Sequence, residues 1–121
     1  MAPRPLFVDS STIPTASKAM DSIVMDLVTC VKRFRCPSKL DFSAKIEDPM
    51  ILLNNDTNKP FIEQLRKLGE LRTRLARIQT HDDEYLEAKH KAAGVAIGRA
   101  LFRMKEYQLK AYERYAETHI Y

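Results

Sequence analysis

A chain of 121 residues is long enough for one domain and short for two. A hydrophobic fraction of 45% with a charged fraction of 30% suits a folded chain rather than a disordered one, and three glycines with no tryptophan count against a turn-rich all-β fold. The formal charge of +4 sits wholly in the second half, because residues 1–58 balance their basic and acidic side chains and residues 59–121 do not. Such a basic half favours an acidic protein surface or nucleic acid as a partner, unless it is simply solvated helix surface.

Cys30 and Cys36 are too few for a disulfide framework or a four-ligand zinc site, which points to a reducing compartment. The first residues, MAPRPLFVDSS, lack the apolar run of a signal peptide, and no apolar segment reaches about 18 residues. The expectation is a cytoplasmic or nuclear protein with no membrane span.

Pro3, Pro5 and Pro14 make residues 1–14 read as a flexible arm. A three-helix domain is expected over residues 15–116, followed by a frayed end at 117–121. Its first helix is predicted from about Ser17 to Phe34, with Thr15 or Ser17 as N-cap. Met20, Ile23, Val24, Leu27, Val31 and Phe34 form its apolar stripe, with Cys30 beside it as a small core residue. Residues 37–58 read as an extended crossover, held to the bundle by Leu40, Phe42, Met50, Ile51, Leu52 and Leu53.

The second helix is predicted to start near Pro60 with Asn58 as its cap. Phe61, Leu65, Leu68, Leu71 or Arg72, Leu75 and Ile78 face inward, and Glu63 with Lys67 and Glu70 with Arg74 pair on the outside. Gly69 in mid-helix suggests close packing of another helix. Thr80–Asp83 is a turn that supplies caps. The third helix follows from about Glu84 to Ala116, with Leu86, Ala93, Ile97, Ala100, Leu101, Met104, Gln108, Ala111 and Tyr115 inward. Its tyrosine-rich end is expected to project beyond the bundle. The fold class is therefore all-α, an antiparallel three-helix bundle with long second and third helices.

No catalytic signature is present: no nucleophile elbow, phosphate loop, HExxH or paired CxxC. His81, His90 and His119 lack ligand spacing, and His81-Asp82-Asp83 is better explained as a polar turn than as a metal cluster. Ser10-Ser11-Thr12 has no base nearby, and the glycines of AAGVAIGRAL lie inside a helix rather than ahead of one. Neither enzymatic activity, a cofactor nor a metal is expected. Tyrosines interleaved with Lys and Arg near the C-terminus suit single-stranded nucleic acid, but Glu106, Glu113 and Glu117 interrupt the basic run and argue against it.

The stretch from Asn58 to Met104 resembles a BAG domain, the three-helix module of co-chaperones for heat-shock protein 70. LARIQTHDD is similar to the family's Leu-x-x-Ile and short Thr/Asp turn, and YLEAKHKAAGVAIGRAL to its third-helix pattern. FRCPSKLDFS followed by NNDTNKPF looks like the linker of some fungal members. With the upstream helix the likeness covers most of the chain. It implies a co-chaperone that binds the nucleotide-binding domain of heat-shock protein 70 through helices two and three and promotes ADP release, by differential binding and without a covalent step.

The contact residues implied are Arg66, Glu70, Arg77, His90, Lys91 and Arg99. Several family positions differ here. Arg66 stands near an acidic residue of the pattern, Ala76 near an Asp, Gly98 near a Gln, and His90-Lys91 on an Arg-Lys pair. A helical interaction domain for a different protein partner is the alternative, with a basic nucleic-acid binder behind it.

Overall fold

The computed structural model describes residues 12–42 and 52–119. Three helices follow in order: α1 over Ile13–Arg33, α2 over Lys59–Ala76 and α3 over Glu84–His119. Each packs against the other two, so the chain is an all-α three-helix bundle. Contacts fix the directions. Asp26 and Cys30 of α1 meet Arg74 and Gln64 of α2, and Leu75 and Phe61 of α2 meet His90 and Tyr107 of α3, so α2 runs antiparallel to both neighbours. Helices α1 and α3 run parallel, with Lys89 beside Ser17 and Asp21.

Helix α1 starts earlier than the proline pattern suggests. Thr12 is its N-cap, and its side chain accepts from the Thr15 amide at 3.3 Å. Pro14 therefore lies in the first turn, where an amide hydrogen has no intrahelical partner and a fixed φ is an advantage. Lys32 and Arg33 in the last turn complement the negative end of the helix dipole. Ala16, Met20, Ile23 and Leu27 are buried, while Val31 is exposed.

Asn58 stands at the start of α2 but does not cap it with its side chain. Its Oδ1 accepts from the Asp41 amide at 2.7 Å, and its Nδ2 donates to the carbonyls of Asp41 and Leu53 at 2.9 and 3.0 Å. A fully buried amide thus ties the crossover to the foot of α2. Asn55 adds to this knot, accepting from the Asn58 amide and donating to Asp41. Along α2, Phe61, Gln64, Leu68, Leu71 and Leu75 are buried, so the stripe runs through Leu71 and leaves Arg72 in solvent. Gln64 enters the core because both ends of its amide meet Cys30: Oε1 accepts from Sγ at 3.2 Å and Nε2 donates to the carbonyl at 3.3 Å. Leu65 and Ile78 are half-buried.

The link from α2 to α3 turns sharply at His81 and Asp82, whose φ values of 54° and 55° lie in the left-handed region. Asp and His enter that region more readily than β-branched residues do. Asp83 then caps α3, its carboxylate accepting from the Leu86 amide at 2.9 Å. With 36 residues, α3 is about 54 Å long, the longest of the three.

The far end of α3 does not project free of the bundle, contrary to the sequence expectation. Residues 37–42 lie across it. Leu40 and Phe42 are buried, Phe42 meets Tyr112 edge-on at 5.4 Å between ring centres, and Tyr115 lies 5.7 Å away. Tyr107 stacks obliquely on Phe61 and donates to the Pro37 carbonyl. Tyr107, Tyr112 and Tyr115 form the far wall of the core, each partly buried, because an aromatic ring can bury its body and keep its hydroxyl at the edge. Tyr121 lies outside the described residues. Of the other crossover anchors, Leu52 packs against the core and Leu53 is exposed. Met50 and Ile51 lie outside the described residues.

Candidate partner-binding surface

The six residues singled out from the sequence border three different depressions. Arg66, Glu70 and Arg77 share one face of α2, at spacings of four and seven, and border a shallow depression with Gly69, Thr73 and Arg74. Arg66 is the hub of that face. It donates to Glu63 at 2.9 Å and to Glu70 one turn on, in place of the Glu63–Lys67 and Glu70–Arg74 pairs expected from spacing. The Arg66 guanidinium holds the Glu63 carboxyl below the usual carboxylate range, and Glu63 raises Arg66 in return. Both groups are open to solvent, where such pairs contribute little to stability. Arg74 instead reaches across to Asp26 of α1 at 2.8 Å.

His90 and Lys91 border a second depression, beside the turn, with Ile78, Gln79, Thr80 and Glu87. His90 is committed to the fold. Its Nε2 lies 2.9 Å from the Leu75 carbonyl at the end of α2, and a carbonyl only accepts, so Nε2 carries the hydrogen. The ring satisfies a carbonyl in the last turn of that helix. Lys91 beside it is exposed.

Arg99 belongs to a third surface. Eight residues of α-helix leave a residue about 80° from its starting direction. That offset separates Arg99 from Lys91, which the sequence reading had placed together. Arg99 borders a groove of about 360 Å³ between α1 and α3, lined also by Leu27, Val31, Phe34, Leu68, Ala96 and Met104. Cys36, Arg103 and Tyr107 complete its rim. Sequence reasoning singled out Arg99 and missed the groove, because its lining comes from all three helices and no single periodicity brings those residues together. Burial pushes the Cys36 thiol up, and burial likewise raises the Tyr107 phenol.

Two glycines stand out at these surfaces. A Cβ added to Gly69 or Gly98 meets nothing within 4 Å, and one at Gly94 touches only Leu75 at an ordinary 3.7 Å. Close helix packing therefore does not explain Gly69, contrary to the sequence reading, and of the two glycines of AAGVAIGRAL, which tight helix packing was expected to account for, it fits Gly94 and not Gly98. Lys91, Gly94 and Gly98 follow one another at three- and four-residue spacing, so they run as one strip along α3, which reaches α2 at Gly94 beside Leu75.

By class the chain is an all-α three-helix bundle. No protein-family model, curated protein or solved structure matches it. No helix among the described residues is long and apolar enough to cross a membrane.

Proposed function

We propose that this chain is a non-catalytic co-chaperone module, which binds the nucleotide-binding domain of heat-shock protein 70 with the outer side of α2 and α3 and promotes ADP release. The observation that carries the reading is the pair of glycines, Gly69 and Gly98, that internal packing leaves unexplained. Each costs roughly 0.5–1 kcal/mol in a helix interior. A partner surface approaching the backbone closely supplies the missing reason. The BAG-like pattern of the α2–α3 pair supports the choice of partner, and Arg66, Glu70, Arg77 and Lys91 flank the glycines on the two helices. His90 acts through the fold, by holding the end of α2. The partner implies a cytosolic location.

Release works by population shift. A bundle that binds the open form of the nucleotide domain more tightly than the closed form raises the open fraction, and ADP leaves faster. Stopped-flow release of labelled ADP from the chaperone domain tests this. The expected result is acceleration by the full chain, reduced when Lys91 and Arg77 are replaced together with helicity unchanged. No complex at tens of micromolar and low salt removes the co-chaperone reading.

A further inference from the structure

The groove between α1 and α3 plays no part in the function proposed above. Its floor is apolar: Leu27 and Phe34 from α1, Leu68 from α2, and Ala96, Ala100 and Met104 from α3. Its charged residues are both cations, Arg99 and Arg103, and no Asp or Glu lines it. Neither arginine has an ion-pair partner among the described residues, unlike Arg66, Arg74 and Lys89. On the α1 side, Val31 lines the groove and is 42% exposed, and Val28, 41% exposed, lies one turn before it on the same helix.

We propose that this groove receives an acidic amphipathic helix from a partner protein. Three features select that occupant. The α3 wall from Ala96 to Tyr107 is about 16 Å long, or three turns, which matches anchors at i, i+3 or i+4, and i+7 of an incoming helix. Ala96 and Ala100 are small enough for a second helix to approach closely. Two unpaired guanidinium groups along one edge are complementary to carboxylates flanking the incoming apolar stripe. A single acyl chain would leave both guanidinium groups along the edge without counter-charges.

The test uses the full chain and a fluorescein-labelled model peptide of about five helical turns. Leucines form its apolar stripe, and glutamates flank the stripe. A second peptide carries lysine in place of each glutamate. Fluorescence anisotropy at low salt is expected to show the acidic peptide bound about tenfold or more tightly than the basic one, with the gap closing as salt rises. The double variant Arg99→Glu, Arg103→Glu keeps its helicity by circular dichroism, because both positions are exposed, and reverses the preference. Alkylation of Cys36, on the groove rim, slows several-fold in the complex, followed by mass spectrometry with half-buried Cys30 as internal reference. Equal binding of both peptides, no binding of either, or charge reversal without effect overturns the proposal. Displacement of the acidic peptide by dodecanoate at equal concentration also overturns it, in favour of a lipid site.

Discussion

Asn58 and Asp41 grip each other through the backbone, the Asn58 side chain accepting the Asp41 amide hydrogen at 2.7 Å and donating to the Asp41 carbonyl at 2.9 Å. This two-way bond, seventeen residues apart in sequence, does for the crossover what a strand ladder does in a sheet. Asn58 is fully buried, and Leu53 takes its second hydrogen. Replacing it with alanine strands one amide and two carbonyls, which costs about 2–4 kcal/mol. Asn58→Asp is expected to be worse at neutral pH, because it sets a carboxylate against two carbonyls, and to recover partly on acidification. Urea unfolding at two pH values checks this; a smaller loss for Asp than for Ala at neutral pH would sink it.

The glycines make an opposite prediction. Gly69 and Gly98 are helical, their φ is negative, and a methyl group there meets open space. Gly69→Ala and Gly98→Ala should therefore stabilise the bundle by about 0.5–1 kcal/mol each. If the α2–α3 side docks the chaperone domain, the same changes weaken the complex. Stability and affinity moving in opposite directions separates a docking face from a plain helix surface.

Burial divides the core positions that helical spacing treats alike. Leu75 and Ile97 are buried, whereas Leu65 and Leu101, expected beside them, are half-buried at the edge of the α2–α3 contact. Leu75→Ala should cost about 2–5 kcal/mol and Leu101→Ala clearly less. Equal losses for the two, measured by thermal melting against Lys110→Ala, would contradict the arrangement.

For His90 the expected signature is structural. His90→Ala removes a bond to the last turn of α2 and should lower stability by about 1 kcal/mol. It should also speed hydrogen exchange of amides near Ile78. Partner affinity should fall less than it does for Lys91→Ala, which leaves the fold intact.

Alkaline pH should loosen the bundle. Lys89 is raised chiefly by its bond to Asp21, and the Cys36 thiol and Tyr107 phenol are raised chiefly by burial. A group whose folded value lies above its unfolded one keeps its full stabilising effect below the unfolded value and loses it as pH rises through the folded one. All three shifts share that sign. The urea midpoint should therefore fall between about pH 8 and pH 11, the range where thiols, phenols and amines titrate. Cys36→Ser with Tyr107→Phe should flatten the fall, and a midpoint that rises over this range would refute the assignment.

Much of the fold was legible in the one-dimensional pattern. Stripes such as Met20–Ile23–Leu27 and Phe61–Leu68–Leu75 repeat at the helical period, and an amphipathic face needs a partner, so three such faces in one short chain close into a bundle. The turn was legible too, because Asp83 caps α3 through local chemistry. The candidate site was less so. Eight residues come close to two turns of α3, which groups Lys91 with Arg99, but the roughly 80° left over sets them on different sides of the helix, and only packing decides which side borders the turn and which borders α1.

What the sequence determined alone was therefore local: where helices run, which face of each is apolar, and how α2 turns into α3. Tertiary structure decided the rest. It turned Asn58 from a cap into a crossover clasp, drew Gln64 into the core against Cys30, and folded residues 37–42 over Tyr107, Tyr112 and Tyr115. Each is a polar or amphipathic side chain whose place depends on a partner 17 to 73 residues away. A buried polar group is stable only where that partner stands, and only the packed chain brings it there.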